Sequence, residues 1–222
     1  MGVAATETYH VDIPLDRIVR VLRDPLALAA AVSNADAGLR LDAMLAGDTG
    51  VTIVFGDLEG FTPLAERIGD LAAARLLHGL DVMVREVVSA AGGQRLTSAG
   101  DGFMAVFPSP AAALRAALAL QEHVDGDAPG ARMRIGVHTG PVVGIRPADR
   151  LGDVVGLNVI VASRIADAAR GGEVLVSAEV VDAVAGDVGF RFACHRSIVL
   201  KGLGGRHAVA ELVWERPSGG QP

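Results

Sequence analysis

From residue 50 onward the apolar positions switch between a period of two and a helical period, and each switch marks an element. In Val51-Thr52-Ile53-Val54-Phe55-Gly56, β-branched residues dominate and Val51, Ile53 and Phe55 alternate with their neighbours, which predicts a buried strand. The strand ends on a carboxylate, Asp57. Gly60 follows, and Thr62-Pro63 take the N-cap and first-turn positions of a helix. Leu64, Ile68, Leu71, Leu76, Leu77, Leu80, Val84 and Val88 recur at helical spacing, and a break at Gly69-Asp70 divides them into two helices, the second stopped by Gly92-Gly93. Asp101-Gly102 between two strand-like runs predicts a hairpin with a carboxylate at its tip.

Ser109-Pro110 opens a further helix, and Arg132 to His138 alternates as a half-buried strand turned by Thr139-Gly140-Pro141, with Val142-Val143 pairing back. An exposed loop covers 146–152. A helix follows over 156–170, then a strand over 174–177 and a short helix over 179–184. Residues 190–193, 197–200 and 208–213 are strand candidates. Interleaved helices and strands, with hairpins predominating late, predict an α/β (α+β) sandwich with a mixed, mainly antiparallel sheet flanked by helices. Before this unit, residues 1–48 form an N-terminal helical appendage with short helices near 18–22 and 26–32 and an amphipathic turn through Leu39, Leu41, Met44 and Leu45. The domain runs over 49–214, and 215–222 is a frayed tail.

Composition narrows the function classes. A net charge of −6 leaves no electrostatic footprint for nucleic acid. No apolar run approaches membrane-spanning length, and Glu7, Asp12 and Asp16 interrupt the N-terminus where a signal peptide would need an apolar stretch. Cys194 is the only cysteine, so no intrachain disulfide forms and a reducing, cytoplasmic setting is expected. Lys201 is the only lysine among 20 basic residues.

The chemistry starts at Asp57. A strand that delivers a carboxylate into a turn and then a helix start can hold a hard cation and present free N–H groups to phosphate oxygens. The plain alternative is an Asp that caps a turn.

Several stretches extend the pattern. Phe55-Gly-Asp57-Leu-Glu-Gly-Phe-Thr62, Gly100-Asp101-Gly-Phe-Met-Ala-Val-Phe107, Arg134-Ile-Gly-Val-His-Thr-Gly140, Ala162-Ser-Arg164, Gly172-Glu-Val-Leu-Val-Ser177 and Val199-Leu-Lys-Gly202 resemble, in order and at near-family spacing, the motifs of class III adenylate/guanylate cyclase domains. The resemblance covers roughly 50–214. It implies a ferredoxin-like βαββαβ-type sandwich, a homodimer with sites across the two-fold, a nucleoside triphosphate substrate, most of all ATP, and two divalent ions (Mg or Mn). By the same resemblance Asp57, Asp101 and the backbone of Leu58 are metal ligands, the backbone of the turn from Leu58 through Gly60, Phe61 and Thr62 cradles phosphate, Arg164 meets the charge on the α-phosphate, and Lys201 reaches the triphosphate. Thr97 and Asp153 fall at the base-reading positions.

Two of these positions depart from the pattern. Thr97 stands where the family usually places a lysine, and a hydroxyl supplies neither its charge nor its reach. Ile160 stands where the family usually has a ribose-orienting asparagine, with Asn158 two residues earlier. The loop over 144–152 is also a few residues short. Two readings follow: a weak or atypical nucleotidyl cyclase, or a catalytically silent cyclase-like dimerisation or nucleotide-sensing module.

Overall fold

The computed structural model describes residues 38–46, 50–127, 130–145 and 153–214. The expected helices near 18–22 and 26–32, the loop over 146–152 and the tail lie outside them.

Strand β1 (Val51–Leu58) sits inside a seven-stranded sheet of order β2-β3-β1-β4-β7-β9-β8. Its neighbours are β3 (Gly102–Phe107) and β4 (Met133–Gly140), both antiparallel to it. Beyond them lie β2 (Gln94–Ala99) on one side, and β7 (Val174–Ser177), β9 (His207–Leu212) and β8 (Phe192–Ile198) on the other. Among the described residues only the β4–β7 pairing is parallel; the other strand pairs are antiparallel. The mixed, mainly antiparallel sheet flanked by helices is as expected.

Both faces of β1 are covered, which is why its apolar run is nearly continuous. Val54 and Leu58 enter the larger core, with Leu80, Val84 and Val88 of one helix and Leu114, Ala117 and Leu120 of another. Val51 and Ile53 face the other way, toward Leu41, Met104, Val154 and Ala162. Each of these side chains is 3% exposed or less on the strand, and burying a Val, Leu or Ile contributes about 1.5–3 kcal/mol. The strand is therefore held from both sides, and the period of two puts Asp57 on the face of Ile53 and Leu58 on the opposite one.

Helices α1 (Phe61–Ile68), α2 (Asp70–Ala90) and α3 (Pro110–Asp127) follow in chain order, with Ser109 capping the last through Ala112 N–H at 3.3 Å. The break at Gly69 is as expected. The helix start differs: Gly60, not Thr62, is the N-cap of α1, in the left-handed conformation (φ 67°) that a residue without Cβ adopts at no steric cost. Helix α4 (Leu157–Ala168) crosses β4 and β1 on the Ile53 face. It lies so close that a Cβ on Gly136 of β4 would overlap the backbone of Ala162 and Ala166. A short α5 (Ala178–Ala183) completes the described helices after the segment 38–45.

Two strand expectations change. Val143 does not pair back onto β4: β5 (Val143–Ile145) forms a separate ribbon with β6 (Asp153–Val155), anchored by buried Val154. Residues 190–193 and 197–200 are not two strands but one, β8, made continuous through an irregularity at Cys194, whose φ is 51°. That positive φ lets the strand bend without ending.

Candidate functional site

A cavity of about 300 Å³ opens on the Asp57 face, between the β1–β3–β2 surface and the flank of α4. Phe55, Asp57, Thr97, Met104, Arg134 and Asp167 are among the residues that line it. The sheet register explains the meeting of the two charged strand residues: Asp57 pairs with Arg134 across β1 and β4. The Arg134 guanidinium grips Asp57 Oδ2 twice, from Nη2 and from Nε, the latter at 3.1 Å. Each side chain keeps 30% of its surface exposed, so the pair is open to a ligand rather than sealed in the core. The hydrogen bond from Arg134 to Asp57 holds the guanidinium above its ordinary range, against some desolvation.

Asp101 sits at the tip of the β2–β3 hairpin, as expected, and its carboxyl lies beside that of Asp57. Burial pushes the Asp101 carboxyl up from its ordinary value, and the negative Asp57 pushes it the same way. Two carboxylates brought together with one arginine leave a place where additional positive charge is favoured. Among the described residues no group of three or more His, Cys, Asp or Glu converges on one point. The pair therefore offers hard oxygens without saturating an ion, the arrangement in which substrate phosphates and water complete the coordination of Mg²⁺. The residues present fit such an ion.

The turn that follows β1 belongs to the same end of the sheet. Glu59 N–H is held by Arg132 carbonyl at 2.8 Å, and Gly60 carbonyl accepts from Leu64 at 3.1 Å. No side chain caps α1, so the N–H groups of its first turn, at Phe61 and Thr62, stay available to an anion.

Three of the remaining expected residues, Arg164, Asp153 and Lys201, do not line the cavity of their own chain. Arg164 is on α4, but its neighbours Ser163, Ala166 and Asp167 line the cavity in its place. Its Nη1 donates to Asp167 Oδ2 at 2.6 Å, and its Nε is buried without a partner among the described residues. Asp153 starts the β5–β6 ribbon and accepts from Val154 N–H at 2.8 Å. Lys201 is exposed in a turn after β8; the preceding Leu200 packs against Val161 and Ile165, which puts the only lysine on the α4 side of the fold. Thr97 does line the cavity, paired in register with Met104.

Asn158 does not stand in for Ile160. Its amide oxygen accepts from His138 Nε2 at 3.0 Å and its amide nitrogen donates to Pro141 carbonyl at 2.6 Å. His138 is itself buried, with Nδ1 at 2.8 Å from Ser177 Oγ. Asn158 is thus a locked joint between α4 and β4. Ile160 is 48% exposed and has no polar atom to offer.

Sequence reasoning gave no role to two residues of the site, Arg134 and Asp167. The signal for Arg134 was present: it is the one guanidinium in the otherwise apolar strand Met133–His138, on the parity that faces Asp57. For Asp167 there was none, because only the packing of α4 turns it toward the cavity.

Comparison with known proteins bears on this arrangement. Residues 46–213 match the family model described as the adenylate and guanylate cyclase catalytic domain. The chain is similar to a pH-sensitive adenylate cyclase of Mycobacterium tuberculosis, at 36% identity over 165 residues, which is 72% of this chain and 40% of that protein. It is similar to an adenylate cyclase of Glutamicibacter nicotianae, at 29% identity, over 68% of this chain and 36% of that one. It thus spans about two fifths of the length of these relatives. Among solved structures, the guanylyl cyclase Cya2 aligns with a TM-score of 0.64 at 25% identity, over 75% of this chain and 94% of its own. The adenylyl cyclase CyaB from P. aeruginosa aligns with a TM-score of 0.67 at 24% identity, over 78% and 97%, a likeness of fold.

Proposed function

Because the chain belongs to the adenylate and guanylate cyclase catalytic domain family, we propose that it converts a nucleoside triphosphate, ATP before the others, into a 3′,5′-cyclic nucleotide and pyrophosphate, slowly, at a site shared by two copies of itself. The observation that carries this reading is the juxtaposition of Asp57, Asp101 and Arg134 beside an uncapped helix start. In the reaction the ribose 3′-oxygen bonds to the α-phosphorus, the bond from that phosphorus to the bridging oxygen of the pyrophosphate breaks, and the hydroxyl proton passes to solvent water.

Asp57, Asp101 and the backbone of Leu58 would hold two divalent ions, Mg²⁺ or Mn²⁺, which supply polarisation of the phosphate oxygens and a lowered hydroxyl pKa. Arg134, pinned by Asp57, stands ready to receive phosphate charge. The N–H groups at Phe61 and Thr62 cradle the same anion.

Arg164, Asp153 and Lys201 serve the partner's cavity. Two features support this assignment. None of the three lines the cavity of its own chain. The ribbon that carries Asp153 and the first turn of α4, the helix that carries Arg164, expose Val143, Ile145, Val155, Leu157 and Ile160, an apolar surface that a second copy would cover. A closed two-fold generates two such sites from one chain. Arg164 would then exchange Asp167 for the α-phosphate. Asp153 accepts from an exocyclic amine such as that of adenine, whereas Thr97 is too short to read the base as a lysine would. Discrimination against GTP is therefore weak.

The test is incubation of the pure protein with ATP, GTP, CTP and UTP, each with Mn²⁺ or Mg²⁺, and resolution of products by mass. Cyclic AMP is expected as the main product, with metal required. A second reading, a silent module that binds nucleotide and dimerises without turnover, draws on Ile160 and Thr97. Nucleotide binding with no cyclic product under any condition would favour it.

A further inference from the structure

On the face of the sheet opposite Asp57 lies a second cavity, of about 280 Å³, between α2, α3 and the end of β1. Leu58, Leu76, Leu80, Met83, Val124 and Ala131 give it apolar walls. Among the described residues, the only lining side chains that can hydrogen-bond a ligand are Arg75 and His123. Arg75 has no hydrogen bond or ion pair among the described residues. His123 Nδ1 donates to Ala119 carbonyl at 2.7 Å, because a carbonyl only accepts, and this leaves Nε2 unengaged among the described residues.

The fourth wall is Gly79, in the interior of the 21-residue α2. Glycine destabilises a helix interior relative to alanine, so its presence calls for a reason. Close packing is not the reason: a Cβ built at Gly79 meets nothing within 4 Å. What the missing side chain does is leave a flat strip of helix backbone open to the cavity, one turn from Arg75 on one side and from Met83 on the other. A flat strip beside a thioether suits a planar ring, since sulfur contacts ring edges favourably. An unpaired guanidinium at the rim suits a carboxylate.

We infer that this cavity is a binding site for a small aromatic monocarboxylate, its ring between Gly79, Met83 and Leu58 and its carboxylate on Arg75 with His123 beside it. Such a ligand bears on the strand end that carries Asp57 from the opposite face, through Leu58. The site is separate from the nucleotide cavity, and its test does not depend on the chain being a cyclase.

The probe is 2-naphthoate, titrated calorimetrically into the full chain. Saturable one-to-one binding is expected. Gly79→Leu fills the cavity with a better helix former, so its melting temperature should equal or exceed that of the wild type while naphthoate binding falls by about a hundredfold. Arg75→Gln, at an exposed position, should weaken binding about tenfold, the effect of losing one charge-assisted contact. Neutral 2-naphthalenemethanol should bind the wild type about tenfold more weakly than naphthoate. No binding by the wild type, or unchanged binding in Gly79→Leu, would overturn the site. Equal affinity for octanoate would overturn the aromatic ligand class.

Discussion

Asp57 and Arg134 line one cavity from strands that are direct neighbours in the sheet, and Asp101 lies beside Asp57 from the hairpin tip, whereas Arg164, Asp153 and Lys201 stand on a helix, a ribbon and a turn, and none of these three lines that cavity. The first group is in place before any ligand or second copy arrives. Register alone puts Arg134 against Asp57, and the hairpin returns Asp101 to the same spot. Two of the second group are held in other contacts: Arg164 on Asp167, and Asp153 on its own neighbour's N–H. Under the proposed function, this contrast assigns the phosphate-and-metal end to the fold and the base-and-ribose end to an assembly. Ile160 falls on the helix of the second group, whereas Thr97 lines the same cavity as Asp57.

The comparison breaks most visibly at the carboxylates. Asp57→Ala or Asp101→Ala should lower cyclic nucleotide production by about a thousandfold or more, since both hold the charge on which the reaction depends; steady-state assay with Mn²⁺ checks this. Arg164→Ala should lower kcat by about 10²–10³-fold, the range for losing one donor to developing charge, with little change in melting temperature because its present partner is a part-exposed i,i+3 pair. Restoring the eroded end is the converse test. Thr97→Lys with Ile160→Asn should raise ATP turnover about tenfold and sharpen the preference over GTP, by supplying hydrogen bonds now unmade.

The smallest effect is on stability. Burial and Asp57 raise the Asp101 carboxyl above its unfolded value. The sign follows: the protonated form is favoured in the folded state, so the fold is relatively stabilised below the unfolded pKa and loses that contribution as pH rises through the folded one. At neutral pH the ionised Asp101 is a cost, partly screened by solvent. Asp101→Asn should therefore raise the melting temperature by about 1–2 °C at pH 7, less at pH 4, while activity is lost. A scanning calorimetry series in pH, without metal, reads it.

How far the chain could be read in advance varied with what each element depends on. β1, the Gly69 break, the Asp101 hairpin and the Ser109 cap follow from local period and turn chemistry, and they were legible. β5–β6 was not, because Val143 chooses between two partners and only the burial of Val154 under the sheet decides it. β8 was split in two because no local rule anticipates Cys194 at positive φ. Among site residues, Asp57 and Asp101 announced themselves by position. Arg134 needed the register, and Asp167 needed the packing of α4 on Gly136.

The central claim is that one working site needs residues of both copies. The direct measurement is complementation: Asp57→Ala and Arg164→Ala proteins, each nearly inactive alone, are mixed and assayed for cyclic nucleotide. The account predicts that the mixture recovers activity, up to about a quarter of the wild type if subunits pair at random, because half the dimers are mixed and each holds one intact site of two. Full activity in either variant alone, or a mixture no more active than its parts when exchange of subunits is demonstrated, would contradict it.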